Sequence, residues 1–580
     1  MHRRVRERGA TLLDVVVGTA LMLVVFVGIV GAFQLTVQAV GNNSSRAGAI
    51  ALANERLEYI RSLSYDSIGS VGGIPAGALA QEETVMLNAI SYTRRTFVSY
   101  EDDPGDGLGG ADANGIQTDY KAVKTSVSWR SRQGTRTITM VARASPPGVE
   151  TSVPGGTLVI QVTNDADQPV ANAEVEIVNT STNPQIDTTT FTDADGLATV
   201  LGAPPGANYE IEVTKSGYST AMTYSADAVN TNPIPAHLAV ALNQTTISTF
   251  EIDLLSSLII QTFEPIEEET WDDVFNDASD VGLQEDVAVT GGELVLLEDV
   301  AEGYPASGTG VSVSLAPQFL FGWKEFSWNA TEPAATDILY RVYTDSGAQV
   351  PDADLPGNGA GFSNSPVSIA GLSTTTYPGL RFGATLTTSD ASSTPAVQSW
   401  EVTYDVGPTP LPNISVAMRG AKTVGSGPSG PAYKYSTTHS SGATGSTTIN
   451  SVEYDSFTLS VSAASGYDIS SSCAPQPTVV APNSTALSQL FLSPHTANSL
   501  LVDVRAAGGA LIPGASIRLQ RAAYDTTLTA DTCGQAFFGG ISASAGTPYT
   551  ITVSASGYQN FTNTELDVSG TARISVILNN

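Results

Sequence analysis

Residues 8–33 read RGATLLDVVVGTALMLVVFVGIVGAF, and the architecture of the chain depends on how that stretch is understood. From Val15 to Phe33 there is no charged side chain over 19 residues, a span long enough to cross a bilayer as a helix. Arg3, Arg4, Arg6 and Arg8 stand ahead of it, so the positive-inside rule keeps the first residues in the cytoplasm and sends the remainder of the chain across the membrane. One acid, Asp14, sits at the start of the apolar run. A carboxylate there costs a few kcal/mol and persists only with a partner. Further on, AGAIALANERLEYI (47–60) places Ile50, Leu52, Ala53, Leu57 and Ile60 near a 3.6-residue period, which continues the helix as an amphipathic one. The expectation is a helix over 10–66, about 85 Å long at 1.5 Å per residue. Gly28, Gly31 and GNNSS (41–45) weaken it locally and are the expected places for bending or melting when the helix packs into an assembly.

A chain of 580 residues is long enough for four to six domains of ordinary size. Charged residues are 14% of it, while Gly 54 and Pro 31 are abundant, a composition suited to β-sandwiches with hydroxyl-rich surfaces. With 57 acids against 26 bases the net charge is -31, which repels phosphate backbones and excludes nucleic acid as a partner. The four histidines, His2, His237, His439 and His495, are scattered. H-E-x-x-H, G-x-S-x-G and G-x-x-x-x-G-K-[ST] are all missing, so the expectation is a non-enzyme with no cofactor. The fold class expected is mainly β and multidomain: one long N-terminal helix with a small antiparallel sheet, then four β-sandwiches.

SYTRRTFVSY (91–100), DYKAVKTSVSWRS (119–131) and RTITMVARA (136–144) alternate as antiparallel strands laid on the helix, giving a sheet over 88–145. The leader ending Arg8-Gly9, followed by Ala10 and by Asp14 five residues into the remainder, resembles the class III signal of type IV pilins and pseudopilins. That resemblance implies a prepilin peptidase that cuts after Gly9 and methylates the amine of Ala10, with Asp14 pairing to the Ala10 amine of a neighbouring subunit. Family members usually carry Glu and Phe where this chain has Asp14 and Ala10. LANERLEYIRSLSYD (52–66) followed by YKAVKTSVSW (120–129) is similar to minor pilins of the type IV pilus modification class. The resemblance covers a leader at 1–9 and a pilin-like domain at 10–148.

An aromatic, alternating strand ending in Gly-Tyr recurs three times: YEIEVTKSGY (209–218), FTLSVSAASGY (457–467) and YTITVSASGY (549–558). The first and last belong to units that open with LVIQVTNDADQPVANAEVEI (158–177) and LLVDVRAAGGALIPGASIRL (500–519). Together these resemble carboxypeptidase regulatory-like domains, prealbumin-type sandwiches related to the B-type repeats of Gram-positive adhesins, at 149–256, 498–580 and, for the middle unit, 408–497. Such domains in isolation are spacers or binding modules, not peptidases. Neither opening strand contains the Lys that an intramolecular isopeptide bond would use. Between the repeats, 257–407 reads as a jelly-roll-like sandwich. In SWEVTYDV (399–406), Trp400, Val402, Tyr404 and Val406 share one parity, which places Trp400 in a core; Trp323 and Trp328 are read as core residues as well, with glycan binding on exposed aromatics as the other reading. A glycan-active enzyme on this sandwich would need converging acids, for which Asp352 and Asp354 are the candidates.

The loop EDDPGDGLGGADANG (101–115) gathers Glu101, Asp102, Asp103, Asp106, Asp112 and Asn114. Hard oxygen ligands at that density make it a candidate Ca2+ site or a solvated acidic hairpin. Asp193 and Asp195 in TDADG are assigned to turn chemistry. Cys473 and Cys533 either form one bridge, which closing a loop of this size would make worth roughly 4 kcal/mol, or are two buried thiols. The function expected is a minor pilin or pseudopilin-like subunit of a type IV pilus or type II secretion filament. It would stay single-pass in the inner membrane until assembly and then stand at the cell surface for adhesion. Expected partners are the prepilin peptidase, other pilin subunits, the membrane and an extracellular glycan or cell surface. The alternative is a membrane-anchored carbohydrate-binding protein that enters no filament.

Overall fold

The computed structural model describes residues 12–107, 115–131, 134–148, 152–473 and 476–580. They form two compact units, Met1–Leu255 with Thr423–Lys434, and Ser256–Lys422 with Tyr435–Asn580.

In the first unit, helix α1 spans Leu12–Arg61. It runs unbroken through Gly28, Gly31 and 41–45, where the sequence suggests weakness. Hydroxyls in its apolar part bond back to the preceding turn: Thr19 to Val16 O at 2.9 Å, Thr36 to Ala32 O at 2.9 Å and Ser45 to Gly41 O at 3.0 Å. Each of these three hydroxyls is thereby satisfied within the helix itself. The helix stops five residues short of the expected end and gives way to a 3-10 turn, Tyr65–Ser67. Against its C-terminal half lies an antiparallel sheet in simple order, β1 (Glu82–Leu87), β2 (Ile90–Glu101), β3 (Tyr120–Ser131) and β4 (Gly134–Ala144). β1 precedes the expected sheet. Ala49, Leu52, Ala53, Leu57 and Ile60 are buried against Tyr92, Val98, Val123, Val127 and Trp129, and Tyr92 donates to Ser45 O at 2.9 Å.

The first sandwich comes next. β5 (Gly156–Thr163) is flanked by β8 (Leu197–Ala203) and, in parallel, by Thr245–Glu251. The facing sheet is built on β6 (Glu174–Asn179), β7 (Ile186–Phe191) and β9 (Gly206–Thr214). At TDADG, Asp193 accepts from the N–H groups of Asp195 and Leu197, both at 2.9 Å, and Gly196 has φ +73, an Asx turn that gives the Asp193 carboxylate a structural task. The hairpin Thr423–Gly427 with Gly430–Tyr433 also belongs to this unit and pairs with Asn232–Pro233.

The second unit corrects the boundary drawn at 257. Strand Ser256–Glu264 does not belong to the jelly-roll-like sandwich. It runs parallel to Thr485–Pro494, from Ser257↔Thr485 to Phe263↔Phe491, and antiparallel to Ser446–Val452. Its alternating Leu258 and Ile260 complete a core with Val416, Met418, Phe457, Leu490 and Leu492, and burial of that apolar face decides the pairing. The third sandwich is therefore discontinuous, and the jelly-roll-like sandwich (267–406) is an insert. In the insert one sheet centres on Ala396–Val406 between Leu320–Thr331 and Glu267–Asp273, and the other orders Val281–Glu285, Ser307–Ser312, Leu380–Thr388 and Thr336–Thr344. The last sandwich repeats the plan of the first, with Ser499–Ala506 parallel to Thr571–Leu578.

The three Gly-Tyr strands occupy one structural position. Each is an inner strand of its sheet, and its leading aromatic, Tyr209, Phe457 or Tyr549, is fully buried. Each glycine, Gly217, Gly466 and Gly557, has φ between +81 and +85, a left-handed turn that a Cβ would strain.

Candidate functional site

From Val16 to Val40 the large apolar side chains of α1 stand exposed: Leu21 at 62%, Phe26 at 65% and Phe33 at 69%. An added Cβ at Gly28, Gly31 or Gly41 would meet nothing within 4 Å. The chain's own packing therefore explains neither the apolar residues nor the glycines. This helix is long and apolar enough to cross a membrane. Gly9, Ala10 and the leader lie outside the described residues. Asp14 falls within the helix, and the placement of its side chain is likewise outside them.

Where α1 meets the sheet, the seam holds three buried cations that the sequence pattern did not single out. Arg56 donates through Nε to Thr96 Oγ1 at 3.0 Å and through Nη2 to Ala80 O at 3.2 Å, and its Nη2 lies 3.3 Å from Glu83. Arg94 meets the same carboxylate at 3.1 Å and donates to Leu52 O at 3.3 Å. Desolvation lowers the Arg56 guanidinium from its ordinary pKa, with Glu83 pulling the other way. Lys121 donates to Tyr65 O at 2.9 Å and Ile68 O at 2.8 Å, with its ammonium 4.5 Å from the Tyr65 ring centroid. Burial lowers its pKa too, and the same desolvation pushes the Tyr65 phenol up to about 12. Arg56 lies on the helical stripe 49, 52, 53, 56, 57, 60, the signal that could have found it.

The acidic loop is placed only in part, since Asp112 lies outside the described residues. Asp103 accepts from the Gly105 N–H at 3.0 Å, and the Asp106 N–H donates to Asp103 O at 3.3 Å. Asp102 follows the end of β2 directly and is half-buried. Among the described residues no three side chains of His, Cys, Asp or Glu are placed to hold a metal ion.

Cys473, at the end of Tyr467–Cys473, and Cys533, in the turn of the last sandwich, are joined in a disulfide with Cα atoms 5.4 Å apart. The Ser472 N–H donates to Gln535 Oε1 at 2.7 Å beside it, and Ser471 bonds Asp531. In the insert, Trp323 and Trp400 are fully buried, and Trp328 is half-buried on Tyr340 with ring centroids 3.9 Å apart. The two acids considered for catalysis brace their own loop: Asp352 accepts from the Gly359 N–H at 2.5 Å and Asp354 from the Tyr377 hydroxyl at 2.6 Å.

Among solved structures, the Bacillus anthracis TIE protein is similar at 10% identity, covering 87% of this chain and 73% of its own, with a TM-score of 0.16. BcpA, the major pilin subunit of Bacillus cereus, aligns at 11% identity over 73% of this chain and 99% of its own, TM-score 0.13. The full-length major pilin SpaD from Corynebacterium diphtheriae aligns at 10% identity over 73% and 97%, TM-score 0.13. Scores this low mean that the chains do not superpose as wholes, and neither fold nor activity is taken from them. No curated protein matches the chain. The family model of the carboxypeptidase regulatory-like domain matches residues 157–250, the span of the first sandwich.

Proposed function

We propose that the chain is a pilin-like or pseudopilin-like surface subunit, anchored and assembled through α1, that displays its β-sandwiches for adhesion. One observation carries the reading: a single helix is covered by its own sheet over 49–60 and uncovered, apolar and glycine-containing over 16–40. In water such a surface is unfavourable by roughly 25 cal/mol per Å2 of exposed apolar area, so the uncovered half calls for lipid, for neighbouring helices, or for each in turn. Small residues that let helix backbones approach suit the second. The leader ending at Gly9 and the acid at Asp14 support exchange between the two, from membrane before processing to a filament core afterwards. About 430 residues beyond the helix and its sheet would crowd a helical lattice, so a low-copy subunit is the form proposed.

The test is the N-terminus of the surface-exposed protein, read by mass spectrometry in the wild type and in Gly9→Val and Asp14→Ala. A methylated Ala10 start, lost in Gly9→Val, with Asp14→Ala processed but left out of filaments, is the expected result. An intact Met1 on surface material would instead mark a plain membrane anchor, and normal incorporation of Asp14→Ala would remove the pairing role.

A further inference from the structure

The strand order assigns a mechanical role that the assembly proposal does not contain. We infer that three of the four sandwiches are shear-loaded clamps for tension applied between the N-terminal helix and the C-terminal sandwich, and that the jelly-roll insert is shielded from that tension.

In each of the three, the strand by which the chain comes in and the strand by which it leaves are neighbours in one sheet and run parallel. The pairs are Gly156–Thr163 with Thr245–Glu251, Ser256–Glu264 with Thr485–Pro494, and Ser499–Ala506 with Thr571–Leu578. Parallel neighbours put the two pulled ends at opposite ends of their ladder. The load then lies along the strands, and seven or eight residue pairs must give way together. Antiparallel terminal strands would present both ends at one end of the ladder and open it pair by pair. Losing many hydrogen bonds in one step raises the barrier to forced opening, the quantity that decides survival under load.

The insert has the weaker arrangement. Its first strand, Glu267–Asp273, is antiparallel to its last, Ala396–Val406, beginning at Glu267↔Val406, so tension applied directly to it would peel it apart. Its two connections to the host, however, leave from residues that are themselves paired, Phe263↔Pro410 and Glu264↔Thr409. Tension across the host crosses the parallel ladder of Ser256–Glu264 and reaches the insert only after that ladder has parted. The disulfide leaves this grip in place, because the strand ending at Cys473 pairs directly with Thr485–Pro494. The hairpin Thr423–Gly427 holds Asn232–Pro233 through two residue pairs and yields before a seven-pair ladder does. The inference needs only a held N-terminus, so it stands or falls apart from the filament proposal.

Ladder parity supplies the variants. The Thr157 N–H donates to Gln244 O at 2.9 Å and the Ile252 N–H to Thr163 O at 2.9 Å. In a parallel ladder these two bonds turn the Ser248 N–H toward Gly156–Thr163 and the Thr249 N–H toward the open edge. The full-length oxidised protein in a lipid nanodisc, tethered at its N-terminus and C-terminus in optical tweezers, tests the inference. The insert, roughly 140 residues, releases about 48 nm and the first sandwich about 32 nm at ~3.4 Å per residue, so the steps are told apart by length. The insert's step is expected only after its host has opened; an insert step that comes first overturns the shielding. Moving the second handle to Thr245→Cys, the sole free thiol once Cys473 and Cys533 are bonded, loads the same ladder from one end. The first sandwich should then open at a clearly lower force, and an equal or higher force overturns the clamp. At fixed load through the termini, Ser248→Pro should open the first sandwich about fivefold faster, the worth of one net hydrogen bond, while Thr249→Pro leaves the rate unchanged. Equal acceleration by both variants would also overturn it.

Discussion

The two halves of α1 share a backbone conformation and differ in everything laid upon it. Over 49–60 the apolar residues form a stripe, and the stripe is covered. Ala49 and Ala53 are fully buried, and charges at Glu55 and Glu58 face outward. Over 16–40 the apolar residues go all the way round, and none of them is covered. A helix that packs on a sheet needs one apolar face; one that changes surroundings needs every face apolar. The difference teaches that the first half was shaped by an environment outside the chain and the second by the chain's own sheet.

Truncations should separate the halves most widely. Leu52→Ala, in the covered half, is expected to lower the stability of the helix-and-sheet head by about 3 kcal/mol through lost burial and a cavity. Val25→Ala, at 60% exposure, should stay within about 0.5 kcal/mol. Thermal denaturation of both in detergent checks this, and equal losses would mean that the outer half is packed after all. The charged seam gives a smaller effect. Glu83→Gln leaves Arg56 and Arg94 facing each other without their shared carboxylate, and since Glu83 itself keeps 30% exposure the expected loss is about 2 kcal/mol, below that of a fully buried pair. A chemical denaturation midpoint unchanged from wild type would show that solvent has taken over the role of Glu83.

The smallest effect concerns pH. Burial holds the Lys121 pKa in the folded head below its ordinary 10.5, so the unfolded chain binds more protons in the interval between those two values. Stability from this group therefore rises as pH climbs toward 10.5. The phenols of Tyr65, Tyr92, Tyr100 and Tyr120 are pushed upward, so their contribution falls as pH passes the ordinary value of 10.0 and opposes the trend there. Below that point, denaturation of wild type against Lys121→Met should show the upward slope in wild type alone. Parallel curves would mean that Lys121 titrates in the fold as it does in water.

The helix was legible because 19 uncharged residues admit few other interpretations, and the three repeated strands because a buried aromatic and a left-handed glycine each demand a narrow set of residues. Trp400 was placed in the core by parity alone. The seam escaped because Arg and Lys are ordinarily surface residues, although Arg56 stands on the apolar stripe. Ser256–Glu264 escaped for a different reason. Its alternation was visible, but nothing local in a parallel strand names a partner more than two hundred residues away. At the acidic loop, composition showed the oxygen atoms without showing which of them the turn itself consumes, as Asp103 is consumed by Gly105.

The split third sandwich also sets an order of events for a chain synthesised N-terminus first. Its opening strand, with Leu258, Ile259 and Ile260, emerges long before Thr485–Pro494 can arrive to cover it, Ser257 and Thr485 being 228 positions apart. If the insert folds in the meantime, its ends come together at Glu267 and Val406, and the loop still to be closed shrinks to well under half its length, which lowers the entropy of closure only modestly. The larger gain is time. A finished insert holds Glu264 beside Thr409, so the waiting strand meets the rest of its own domain as soon as that arrives, instead of a stranger's exposed edge.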